Sequence, residues 1–283
     1  MNFRRAALLI ILLLPAVFTA EKNYILFSFD YDVFTEIKDG IVGSLPGNKI
    51  TIFDISKEKP LIEDNNGNHC FVLGDSAYRY ALENTQNIDI IAFMVYEPPV
   101  LPEDDLERVT LVEPEIDLAG KVKIIEEHIL DLKGIIIPCT AAWYKKHKKE
   151  ADHAVSEAKL PVRLEIVEGD PVEFFKSLAV PPGYMLLSVY DKDLYSFNNV
   201  YNIIRLTSER RIPFAGLSKG FVKRGAFLSV LPDYFNMGLK SVTSPDTATR
   251  EIMKEYRVFV NIKMLRRYSL RVDPKKPEIR LIQ

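Results

Sequence analysis

This chain is sparing with the residues that most often announce chemistry. It has two cysteines, four histidines and one tryptophan in 283 residues, too few for a disulfide-dense scaffold or a Cys/His metal module. The histidines are scattered. His147 and His153, six residues apart, fall on different faces of a helix and make no metal pair. There is no GxSxG elbow, no phosphate-cradling glycine loop and no HExxH. These absences argue against an enzyme, and neither a metal nor another cofactor is expected.

An excess of either charge is also missing. Lys and Arg number 37 against 39 Asp and Glu, for a formal net charge of -2, and no basic face is present to neutralise phosphates, so nucleic acid is not an expected partner. The run Lys145, Lys146, His147, Lys148, Lys149 is the exception. It is followed by Glu150 and Asp152 and reads as a solvated helix surface.

Long apolar runs are confined to the N-terminus. Arg4 and Arg5 precede the uncharged stretch Ala6–Leu14, then Pro15 and small or apolar residues as far as Ala20. That run is shorter than the roughly 20 residues a membrane span needs and has the layout of an export signal over residues 1–20. The mature protein is expected to begin near Glu21 and to work in the periplasm or outside the cell. Bulky Phe18, three residues before that cut, departs from the preference for small residues and keeps an uncleaved anchor open. No cysteine lies nearby to carry a lipid. Loss of residues 1–20 removes two arginines and no acid, taking the net charge from -2 to -4. With 47% apolar residues, the remainder can bury a large core, as one domain or as two of about 100 to 150 residues.

Short apolar runs alternate with amphipathic stretches. Strands are expected at Tyr24–Phe29, Lys49–Ile55, Cys70–Leu73, Asp89–Val95, Arg108–Glu113, Gly134–Pro138, Val162–Val167, Tyr184–Val189, Pro213–Leu217 and Ala226–Val230. Helices are expected at Tyr31–Ser44, Ser76–Glu83, Leu118–Leu132, Tyr144–Ala158, Pro171–Leu178 and Leu194–Arg210. Several strands are apolar throughout, as in a parallel sheet covered on both faces, and the alternation means α/β. The acidic segment 97–117, with four prolines, interrupts the pattern and reads as a crossing between two smaller sheets. Cys70 opens one strand and Cys139 ends another in what would be the other lobe, so two unpaired thiols are expected.

In open α/β sheets the loops at the carboxyl ends of the strands meet the ligand. Those loops carry Asp30 and Tyr31; Gly74, Asp75 and Ser76; Tyr96; Cys139 and Thr140; Tyr190 and Asp191; and Ser218. Free N–H groups at the helix starts of Ser76 and Thr140 can hold a carboxylate, or the nearby side chains can simply cap those helices; both readings stand. Asp191 is favoured as a ligand contact for an ammonium group and Asp193 as the cap of the next helix. Tyr31, Tyr96 and Tyr190 can form an aromatic wall.

The stretch IPFAGLSKGFVKRGAFLSVLPDYFNMG, with Ile212, Pro213, Gly225, Ala226, Ser229, Asp233, Tyr234 and Gly238, resembles the substrate-binding components of ABC transporters, of the tryptophan-type or uncharacterised periplasmic-component family. VLGDSAYRYA and VNIKMLRRYSLRV resemble further parts of that family. The resemblance implies a two-lobed type I periplasmic-binding-protein fold, each lobe a mostly parallel sheet flanked by helices. Lobe one would hold residues 21–115 plus about 225–250, and lobe two 116–224 plus about 251–283. Crossings are expected near Glu113–Asp117 and Lys219–Gly225. The resemblance also implies a monomer that binds a small solute such as an amino acid and serves an ABC permease or, alternatively, a membrane sensor kinase.

Overall fold

The computed structural model describes residues 22–29, 31–65, 67–96, 98–102, 106–112, 115–243, 250–251 and 255–283. The export segment and Asp30 lie outside the described residues. Among those described, no helix is long and apolar enough to cross a membrane.

Two sheets form two lobes. The first takes β1 (Lys22–Phe27), β2 (Lys49–Asp54), β3 (His69–Leu73), β4 (Asp89–Phe93), β5 (Val109–Val112) and β12 (Arg250–Glu251), in the order β12-β5-β4-β3-β1-β2, and every pairing is parallel. Successive residues of a strand point to opposite faces. Tyr24 and Leu26 pack with Ala77, Tyr78 and Ala81 of α2 (Asp75–Asn84) on one side. Ile25 packs with Phe34, Ile37 and Ile41 of α1 (Asp32–Ser44) and Met237 of α8 (Tyr234–Thr243) on the other. Both faces are covered, which is why these strands read as unbroken apolar runs.

The second sheet takes β7 (Gly134–Thr140), β8 (Val162–Val167), β9 (Tyr184–Leu187), β10 (Phe214–Ala215), β11 (Leu228–Pro232), β13 (Tyr256–Asn261) and β15 (Ile279–Ile282). Their order is β15-β13-β11-β10-β9-β7-β8, parallel except between β11 and β13. Ile135, Ile137, Met185 and Leu187 face α3 (Leu118–His128) and α4 (Ala141–Glu157); Ile136 and Leu186 face α5 (Pro171–Ser177) and α6 (Phe197–Glu209). The helices start where short polar side chains take up free N–H groups. Asp117 accepts from Gly120 N (2.6 Å), Asp170 from Glu173 N (2.9 Å) and Asn261, at the start of α9 (Ile262–Tyr268), from Lys263 N and Met264 N.

Several details differ from the sequence expectations. α3 stops at His128 because Ile129 and Leu130 form β6, paired antiparallel with β14 (Arg271–Val272). α6 starts at Phe197 and not at Leu194. Lys219–Lys223 is a short helix, α7, inside the second lobe, and β11 hydrogen-bonds in the second sheet, so residues 228–232 do not sit with the first. The chain returns to the first lobe at Pro232–Tyr234, where Asp233 binds Arg257 through both carboxylate oxygens (3.0 and 2.8 Å) and accepts from Asn236 N. Arg257 also reaches Glu36 of α1 at 3.7 Å, joining the lobes beside this crossing.

Cys70 and Cys139 are unpaired and buried, one in each sheet. Burial and the nearby Asp191 push the Cys139 thiol up to about 11, so it resists ionisation in the fold. A group whose folded pKa is raised contributes stability that is complete below its ordinary value of 9.0 and lost as pH climbs through about 11. Alkylation at pH 8 should therefore be slow for both thiols in the native protein and complete after unfolding, with two labels per chain. A mass two daltons low with no label would mean a disulfide and overturn the separation of the two cysteines.

Candidate functional site

Both lobes turn the carboxyl ends of their parallel strands toward a common cleft, and a cavity of about 510 Å³ lies there. The first lobe contributes Val95 and Tyr96 from beyond β4; the second contributes the start of α4 and the loop after β9. Tyr96 and Tyr190, one from each lobe, stack with ring centroids 4.6 Å apart and planes 13° from parallel. Burial pushes the Tyr96 hydroxyl well above the ordinary tyrosine range, helped by Glu115, Tyr234, Tyr190 and Asp75. That hydroxyl stays protonated, and the field around it is negative.

Thr140 ends β7 and caps α4, its Oγ1 accepting from Trp143 N at 3.1 Å. Its own N–H donates to Asp191 Oδ2 at 2.7 Å. The other oxygen, Asp191 Oδ1, accepts from Asp193 N and Leu194 N, both at 3.2 Å. Asp191 is only 4% exposed. It ties the end of β7 to the loop after β9 and takes up N–H groups in the turn before α6, whose N-cap is Ser196. Asp193 lines the same cavity from an exposed position. The cap expected of Asp193 is absent, because the next helix begins at Phe197 with Ser196 as its N-cap, and Asp191 lies beside N–H groups on both neighbouring connections.

Of the expected contacts, Tyr96, Thr140, Tyr190 and Asp191 line this cavity. Cys139 lies fully buried in the core behind it. Ser218 caps α7 through Phe221 N (3.4 Å). Tyr31 is 56% exposed and packs on Phe29 and Phe34, away from the cavity lining. Gly74 is the N-cap of α2 at φ 89°, a conformation suited to glycine, and neither Asp75 nor Ser76 takes that position. Asp75 does act on the site at a distance, through its charge on Tyr96, and its Oδ1 is buried without a hydrogen-bond partner among the described residues.

Sequence reasoning did not single out the far wall. Trp143 stacks on His147 (4.7 Å, 15°), and His147 Nδ1 lies 3.2 Å from Glu150 Oε2. The other oxygen of Glu150 accepts from Leu118 N, at the start of α3 just beyond the first crossing. Lys121, only 8% exposed, pairs with Glu115 at 2.6 Å. The available signal was the only tryptophan of the chain, three residues after a capping Thr at a strand end. Starting the helix at Tyr144 instead of Ala141 left it in a loop.

No protein-family model matches the chain, and no curated protein sequence matches it. Solved structures do resemble it. A substrate-binding protein with adhesive properties from Clostridium difficile, in a ligand-free, open form, superposes with a TM-score of 0.69 at 14% identity, covering 93% of this chain and 99% of that one. An ABC domain from Streptococcus pneumoniae in complex with L-Trp gives 0.56 at 13%, covering 93% and 100%. A periplasmic ribose ABC transporter protein from Conexibacter woesei gives 0.50 at 12%, covering 85% and 91%. The chain therefore has the two-lobed type I periplasmic-binding-protein fold.

Proposed function

We propose that this chain is an exported solute-binding protein that holds a small organic solute between its lobes and presents it to a membrane partner. The observation that carries this reading is the cavity at the strand ends of both sheets, bounded by a tyrosine stack to which each lobe gives one ring. Pockets of this size, aromatic-lined and with a few polar groups, suit small molecules. Binding rather than catalysis is supported by the state of the lining acids. Asp117, Glu150 and Asp191 hold backbone N–H groups and Glu115 holds Lys121, so they shape the site. Neighbours of this fold include a protein complexed with L-Trp, which supports an amino acid-like solute.

A site shared between lobes is complete only when they approach, so the solute favours the closed arrangement by the contacts it gains there. The export segment would place the protein near an ABC permease; a sensor kinase would use the same closure as a signal. Neighbouring genes separate these two: a permease with an ATPase, or a kinase.

A thermal-shift screen against amino acids, amines, sugars and anions tests the binding function. A ligand at 100 times its dissociation constant adds about 2.7 kcal/mol of stability. With a hit in hand, small-angle scattering should show a smaller radius of gyration in the saturated protein. An unchanged radius at calorimetrically confirmed saturation would remove the closure mechanism.

A further inference from the structure

The charges around the cavity are unequal. Glu115, Asp117, Glu150, Asp191 and Asp193 line it, against Lys121, Lys146 and Lys192. Among the described residues no arginine lines it, and the forked guanidinium is the side chain best suited to grip a carboxylate or phosphate. The N–H that would welcome a carboxylate at Thr140 already donates to Asp191. An acidic solute would thus meet an excess of acids and the loss of a donor expected for it.

Aromatic faces supply the other half of the chemistry. Tyr96 and Tyr190 form one stacked pair at the cavity, and Trp143 with His147 forms a second. The face of an aromatic ring is electron-rich and attracts cations, tryptophan most strongly. Asp75, whose buried Oδ1 lacks a hydrogen-bond partner among the described residues, is near enough to Tyr96 to help raise its hydroxyl.

We propose that the cavity selects a small organic cation, an ammonium or guanidinium group held beside the Tyr96–Tyr190 and Trp143 rings with Asp193 balancing its charge. This rests on the solute-binding reading and names the class of solute. A net anion is excluded by the acids. A neutral solute of the same shape loses the cation–ring attraction.

One ring carried in four charge patterns tests it. Calorimetry on the purified protein would compare tryptamine (cation), tryptophol (neutral), L-tryptophan (zwitterion) and indole-3-acetate (anion), with choline against 3,3-dimethylbutan-1-ol as a second matched pair. Each cation should bind about tenfold or more tightly than its neutral analogue. Tyr190→Leu should reduce cation affinity about tenfold while Tyr190→Phe, which keeps the ring, retains it. Glu115 is already paired with Lys121, so Asp193→Asn is the charge test. It should weaken tryptamine severalfold and leave tryptophol unchanged. Equal or tighter binding of indole-3-acetate or tryptophan would overturn the cation assignment and leave the solute-binding function standing. The same holds if no cation binds while the general screen yields a hit of another class. If that screen is empty too, both readings fall.

Discussion

Gly238→Ala is expected to lower the stability of the protein by about 3 kcal/mol, roughly 6 to 12 °C in melting temperature. α1 and α8 approach so closely that a Cβ at Gly238 would run into the carbonyl oxygen of Ile37, and one at Gly40 into that of Phe235. The obstacle in each case is backbone, which cannot swing aside as a side-chain tip can. In an exposed helix the same substitution would gain up to about 1 kcal/mol, because alanine is the better helix former. Gly43, on the same helix α1, has nothing within 4 Å of its added Cβ, and Gly43→Ala should be neutral or stabilising. Urea unfolding of the two variants side by side measures the difference. A Gly238→Ala protein as stable as Gly43→Ala would mean that the helices do not interlock as described.

Asp191→Ala is expected to cost about 3 kcal/mol, because three N–H groups at or near the protein interior lose their acceptor together and each unsatisfied donor costs about 1 to 3 kcal/mol when fully buried. Asp193→Ala, on an exposed position, should stay within about 0.5 kcal/mol of the parent. The effects on solute binding differ as well. Removing Asp191 frees the end of β7 from the loop after β9, so the cavity wall loses its shape and binding falls along with stability. Removing Asp193 changes only the charge facing the solute. Thermal melts of the ligand-free variants decide the matter: equal melting temperatures would show that Asp191 is not the tie between these strand ends.

The tie made by Asp191 and not by Asp193 shows where the sequence alone reaches its limit. Both follow a buried strand within six residues, and both are short acids able to cap a helix. Choosing between them needs the position of Thr140, 51 residues away and hydrogen-bonded to Asp191. The glycine at 238 was visible as part of a resemblance, but its reason was not: α8 was not among the expected helices. The contact that requires Gly238 is with α1, about two hundred residues earlier.

By itself the sequence determined the α/β class, most of the strands, the two series of strand–helix units and some of the loops that line the cavity. These follow from local periodicity, which records whether a residue's neighbours along the chain share a buried face. Tyr96, Thr140, Tyr190 and Asp191 were legible as lining residues for that reason. Tertiary structure alone decided which sheet β11 joins, where the chain crosses back, and which loops converge. It also decided that Tyr96 and Tyr190 meet, and that Trp143, His147 and Glu150 complete the wall. Those outcomes depend on strand order and on contacts between residues far apart in the chain, where no repeating pattern links one partner to the other.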